Sequence, residues 1–219
     1  MKLIFSPASP FVRKVRVVID ESGLTDHVTP VPVQTTPLVT DPAARNANPL
    51  GKIPALVLDD GKSLFDSRVI CRYLNDISGA GLYPAERIWD VLTLEALADG
   101  IMEAAVLMVY EGRLREAENR SVTWVEAQWE KITHALDALE RQEFAAMQGD
   151  LNIAHLATAC ALDYLDFRHS ALDWRKGHAA LDDWHSQISQ RTSLKTTFCL
   201  LYTSPSPRDR TRSRMPSSA

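Results

Sequence analysis

Along the first eighty or so positions the hydrophobic period changes repeatedly. Lys2–Phe5 is a short apolar run that reads as a buried strand. Pro10–Glu21 places Val15, Val18 and Ile19 at helical spacing with basic residues between them. It opens on Ser9-Pro10 and stops at Gly23, which predicts a helix capped by Ser9. Residues 28–33 read as a second strand, and Pro30 and Pro32, unable to donate ladder hydrogen bonds, send it to a sheet edge. A polar stretch holding Asn46 and Asn48 follows, then a third strand at 53–58, a turn at Asp59-Asp60-Gly61-Lys62, and a short fourth strand at 63–65. Residues 66–77 set Val69, Ile70, Tyr73 and Leu74 on one helical face. The predicted order is β-α-β, a connection, then β-β-α.

Gly79-Ala80-Gly81 with Pro84 marks the clearest boundary in the chain. Beyond it every periodic segment is helical: 86–118, with a break expected near Gly112, then 123–147, then Asn152 to about 169, then 179–190. The reading is an α/β unit at 1–79 and an all-helical unit at 85–198. Residues 199–219 have no apolar period and hold Pro, Ser and four arginines against one aspartate; this tail reads as disordered and resembles translated adapter or vector sequence.

The formal charge of −4 over 219 residues gives no basic surface of the kind that neutralises phosphates, so nucleic acid is not an expected partner. No stretch approaches the ~20 apolar residues that span a bilayer, and Pro7 and Pro10 leave no room for a signal-peptide core after Met1, so a cytoplasmic protein is expected. Cys71, Cys160 and Cys199 contain no close pair, which argues against a disulfide framework or a metal site; the first two are expected to be small buried hydrophobes.

Candidate chemistry begins at Ser9-Pro10-Phe11-Val12, which follows a strand and opens a helix. In a thioredoxin-like fold this is where a reactive thiol sits, because the helix N-terminus offers unpaired N–H donors and a partial positive charge. The run looks like the Cys-Pro-Tyr-Cys of glutaredoxins with both cysteines replaced. A hydroxyl there can still donate to a thiolate that arrives with a substrate; it can equally do no more than cap the helix. Asn48-Pro49-Leu50-Gly51-Lys52-Ile53-Pro54 runs into the third strand, with Pro54 a candidate cis residue that would turn the Ile53 backbone outward. An ordinary trans turn is the alternative. Asp66-Ser67 offers a carboxylate for an ammonium group and a hydroxyl plus helix amides for a carboxylate, although Asp66 also makes a good N-cap.

In this order and spacing, Ser9-Pro-Phe-Val-Arg-Lys14, Asn48-Pro-Leu-Gly-Lys-Ile-Pro54 and Phe65-Asp66-Ser67 resemble the bacterial glutathione transferases of the serine type. Glu95-Ala-Leu-Ala-Asp99-Gly-Ile-Met102 and Cys160-Ala-Leu-Asp-Tyr-Leu-Asp-Phe-Arg168 resemble that family's fourth and sixth helices, so the likeness runs over about 1–198. It implies a thioredoxin-like α/β domain followed by an all-α domain, a homodimer, and glutathione as co-substrate without metal or other cofactor. Ser9 would then be catalytic, hydrogen-bonding the sulfur, and Phe11, Lys52, Ile53, Pro54, Asp66 and Ser67 would hold the tripeptide. Asp99, Met102, Glu103, Val106 and Tyr110, on one face of the long helix, would line the cleft for a small apolar electrophile; packing between helices accounts for Met102 and Val106 equally well. A silent binding or scaffold module, or a glutathione-dependent isomerase or reductase, are the alternatives. One departure stands out. Family members open the sixth helix with Ser/Thr-x-x-Asp, whereas Asn152-Ile-Ala-His155 puts a histidine where the capping box wants an acid.

Overall fold

The computed structural model describes residues 1–141, 147 and 149–198; the tail at 199–219 and positions 142–146 of the helix expected at 123–147 lie outside the described residues. The first half holds β1 (Lys2–Phe5), α1 (Pro10–Glu21), β2 (Thr29–Pro32), α2 (Pro42–Ala47), β3 (Ala55–Val57), β4 (Ser63–Leu64) and α3 (Ser67–Ser78). The second half holds α4 (Ile88–Leu114), α5 (Val122–Glu140), α6 (Ile153–His169), α7 (Ala179–Ile188) and α8 (Thr192–Thr196).

The sheet order is β2-β1-β3-β4, with β2 parallel to β1 at the edge where its prolines cost no ladder bonds and β3 antiparallel to both neighbours. Strand alternation sorts the side chains. Leu3 and Leu56 join Val15, Val18, Ile70 and Leu74 of α1 and α3 on one face, while Ile4 and Ala55 meet Ala44 and Ala47 of α2 on the other. The result is a three-layer thioredoxin-like unit. The polar stretch hid α2, although Asp41 caps it and Pro42 occupies its first turn.

Gly79 ends α3 with φ +70°, and nine residues later α4 begins at Ile88. No break occurs at Gly112: α4 runs unbroken from Ile88 to Leu114. It is apolar nearly all round because α1, α5 and α6 pack against it, and α6 is buried from Ile153 to Leu165. The main core therefore runs through both halves, and Cys71 and Cys160 are buried in it. Two cations on α1 enter this boundary: Arg13 pairs with Asp163 of α6 at 2.6 Å, and Lys14 with Glu95 and Asp99 of α4. No helix among the described residues is long and apolar enough to cross a membrane.

Candidate glutathione site

Sheet register decides what the loops bring together. Phe5 ends β1, Ala55 opens β3 opposite Ile4, and Leu64 ends β4 opposite Leu56. Ser9, Ile53-Pro54 and Asp66-Ser67 follow or precede those residues closely, so all three motifs fall at one end of the sheet.

Ser9 is the N-cap of α1: its Oγ accepts from the Val12 N–H at 3.3 Å. The cap uses a lone pair and leaves the hydroxyl hydrogen without an acceptor among the described residues. The capping and donating roles weighed from sequence are therefore compatible in one side chain. Phe11, half-buried, packs against the main core.

The approach to β3 is a rigid turn. Asn48 Oδ1 accepts from the Leu50 N–H at 3.0 Å, its Nδ2 donates to the Lys52 carbonyl at 3.0 Å, and the Gly51 N–H reaches the Asn48 carbonyl at 2.7 Å. Gly51 has φ +65°, and a Cβ there would lie 2.4 Å from Thr40 Cγ2. Pro49 at the second turn position presets φ. The Ile53–Pro54 peptide is cis, the Ile53 N–H and C=O make no backbone hydrogen bond among the described residues, and the Lys52 side chain is exposed.

Asp66 caps α3, its Oδ1 accepting from the Arg68 N–H at 3.0 Å while Oδ2 meets the Arg68 guanidinium at 3.1 Å. Partial burial works against its ionisation, but the Arg68 hydrogen bonds and charge, helped by Lys14, outweigh that and hold its pKa below the ordinary carboxylate range. Ser67 is buried at the first helical position. Arg68 was not foreseen. Neither were Lys14 and Glu95; the signal for them was a cation on an otherwise apolar helix face and an acid pair one turn apart inside an apolar helix.

The expected electrophile face divides by burial. Met102 has 0 % of its surface exposed and belongs to the core, and Asp99, 4 % exposed, gives both oxygens to Lys14. These two are corrections: the seam between α1, α4 and α6 consumes them. Glu103 is exposed, and Val106 and Tyr110 keep part of their surface. Burial raises the Tyr110 pKa despite Arg113 and Arg168, so its phenol stays a donor.

The family model for the glutathione S-transferase N-terminal domain matches residues 8–77, and that for the glutathione S-transferase C-terminal domain matches 122–186. The chain belongs to the glutathione S-transferase family. It is 37 % identical over 179 residues to the uncharacterized GST-like protein YibF of Escherichia coli (strain K12), covering 80 % of this chain and 86 % of that one. A glutathione transferase family member from Pseudomonas fluorescens Pf-5, solved with bound glutathione, is 45 % identical, with a TM-score of 0.88 over 91 % of this chain and 99 % of that one. The same target was also solved with bound S-(propanoic acid)-glutathione, at 44 % identity and a TM-score of 0.84 over 92 % and 100 % of the two chains. A glutathione S-transferase from Methylobacillus flagellatus KT with bound glutathione is 34 % identical, with a TM-score of 0.80 over 91 % and 99 %. In this glutathione S-transferase, Ser9 through Ile77 fall within the first matched domain, while Glu95 to Tyr110 lie between the two matched segments.

Proposed function

We propose that this protein is a glutathione transferase of the serine type that activates the glutathione thiol for attack on a small apolar electrophile. The observation that carries the reading is the convergence of a free hydroxyl hydrogen at Ser9, an unpaired Ile53 backbone and the Asp66-Ser67 helix start at one end of the sheet. Relatives solved with glutathione support the choice of ligand, and the relative that holds S-(propanoic acid)-glutathione supports a pocket that accepts a thioether.

On this reading the tripeptide lies extended. Its cysteinyl backbone pairs with Ile53 beside Pro54, its γ-glutamyl ammonium meets Asp66, its γ-glutamyl carboxylate meets Ser67 and the α3 amides, and Lys52 takes the glycyl carboxylate. Phe11 flanks the bound peptide. Ser9 donates to the sulfur at the positive end of α1. A free thiol titrates near ~8.5, and lowering it by about two units needs ~2.7 kcal/mol. A charge-assisted hydrogen bond contributes about 1.5–3 kcal/mol and a helix terminus ~0.3–1 kcal/mol, a combined range that includes the requirement. The thiol proton leaves to solvent, the sulfur lone pair forms the bond to the electrophilic carbon, and the displaced group departs with its bonding electrons. Proximity supplies the rest of the acceleration. Glu103, Val106 and Tyr110 would border the electrophile. This chemistry calls on no metal or redox cofactor, and it suits a cytoplasmic homodimer.

The test is a pH titration of glutathione bound to the protein, followed by thiolate absorbance. A midpoint well below that of the free tripeptide is expected, and an equal midpoint rejects the reading. Ser67→Ala should raise the KM for glutathione, and sedimentation should return twice the chain mass.

A further inference from the structure

A chain of charges begins in the interior and ends at the mouth of the proposed site. Lys14 Nζ has no exposed surface and donates to Asp99 Oδ1 at 2.7 Å, to Asp99 Oδ2 at 2.9 Å and to Glu95 Oε1 at 3.0 Å. Asp99 Oδ2 lies 3.7 Å from Arg68 Nε, and Arg68 then meets Asp66. The sequence of signs is Glu95 negative, Lys14 positive, Asp99 negative, Arg68 positive, Asp66 negative. Each charge is flanked by its opposite except at the two ends.

The ends differ. Glu95 is buried; burial raises its pKa against the pull of Lys14, and its Oε2 accepts no hydrogen bond among the described residues. Asp66 keeps 55 % of its side chain exposed, and both Arg68 and Lys14 favour its ionised form. The one place where a further cation can join is therefore the solvent-facing end. Asp99 is fixed in this chain because Lys14 grips both its oxygens from inside. Without that ammonium, Glu95 and Asp99, one helical turn apart in the core, would stand as two acids, Glu95 held by a long hydrogen bond from the Tyr83 hydroxyl at 3.5 Å and Asp99 by the Arg68 contact at 3.7 Å.

We infer that Lys14 is a positioning residue for the amino group of the substrate: it orients Asp99 toward Arg68, and Arg68 presents the Asp66 carboxylate to the γ-glutamyl ammonium. Lys14 touches no substrate atom. Its effect is carried across the domain boundary from α1 to α4 and back to α3. The inference rests on the proposed reading that glutathione is bound with its amino end at Asp66.

The experiment measures binding of two unreactive ligands by calorimetry, S-methylglutathione and its analogue in which the γ-glutamyl amine is replaced by hydrogen. The proteins are the unaltered chain, Lys14→Met, and the double variant Lys14→Met with Glu95→Gln, which removes one charge of each sign and keeps the core supplied with fewer unpaired acids. The unaltered protein should prefer the aminated ligand by tenfold or more. Both variants should bind the des-amino analogue within about twofold of the unaltered protein and lose most of that preference. If either folded variant keeps the preference, or loses affinity for both ligands equally, Lys14 is a structural residue only and the inference is overturned. An unaltered protein that binds S-methylglutathione without any preference also overturns it while leaving the glutathione reading intact. One that binds neither ligand ends both.

Discussion

The backbone N–H of Asn152 donates to Nδ1 of His155 across 3.2 Å, and the Asn152 side chain returns a bond from the Ala154 N–H at 3.0 Å. A neutral imidazole thus closes the capping box of α6, accepting where an acid would accept in a Ser/Thr-x-x-Asp box. The ring also stacks on Trp184 of α7, with centroids 6.2 Å apart. The histidine that looked like a weakness in the sequence completes the cap.

The cap makes stability depend on pH in a stated direction. Burial lowers the His155 pKa against a hydrogen bond to the Met147 backbone, and Arg87 and Arg191 lower it further. The folded state therefore binds the proton less readily than the unfolded chain, whose histidine titrates near ~6.5. The contribution of the neutral ring is complete above that value and is lost as pH falls from it toward the folded pKa. His169, lowered by burial beside the Ala105 carbonyl, acts in the same sense. Urea unfolding between neutral and mildly acid pH should show stability falling on acidification, and His155→Asp should flatten part of that slope. A slope unchanged in His155→Asp assigns it elsewhere.

Substitution can separate the cap that Ser9 makes from the sulfur-donating role proposed for it. Ser9→Ala removes both the cap and the sulfur donor, so about 0.5–2 kcal/mol of stability should go with most of the conjugating activity. Ser9→Asp keeps an N-cap of equal quality and sets a negative charge against the thiolate. It should melt near the unaltered protein and conjugate more slowly by at least an order of magnitude, as expected from losing a charge-assisted bond of about 1.5–3 kcal/mol. Full activity in Ser9→Asp would remove the hydroxyl from the mechanism.

Gly51 is needed for its backbone and for its missing Cβ. An L-residue at φ +65° costs roughly 1–2 kcal/mol, and the overlap with Thr40 adds to it. Gly51→Ala should lower the Tm and raise the KM for glutathione, because the turn it distorts sets Lys52 and Ile53. Adding Thr40→Ala should recover part of the loss by relieving the overlap and none of the backbone strain. No recovery at all would mean that the contact is unimportant.

How far the sequence reaches depends on how local each cause is. The placing of β2 at the sheet edge and the caps at Ser9 and Asp66 follow from proline chemistry and side-chain acceptors, all within a few residues of their effect. Lys14 entered the sequence reading only as the end of the Ser9–Lys14 motif, because the acids that hold it in the interior stand 81 and 85 residues away. Gly112 looked like a helix breaker, yet neighbouring helices hold α4 continuous through it. Periodicity places Asp99, Met102, Glu103, Val106 and Tyr110 on one helical stripe, but it gives no depth. Which part of the stripe meets another helix and which meets a cleft is fixed only by how α1 and α6 dock on α4.

That division of α4 can be tested by comparing stability with selectivity. Met102 is fully buried, so Met102→Ala should cost about 2–5 kcal/mol through lost contacts and a cavity, and the ratio of rates toward a small and a bulky electrophile should stay the same. Val106 and Tyr110 keep exposed surface, so Val106→Phe and Tyr110→Phe should cost little stability and change that ratio severalfold, the first by narrowing the cleft and the second by removing a donor. Chevron or urea denaturation gives the first quantity, and steady-state kinetics at saturating glutathione gives the second. A Met102 variant that alters selectivity at unchanged stability would put the boundary between core and cleft one helical position away from where the packing of α6 sets it.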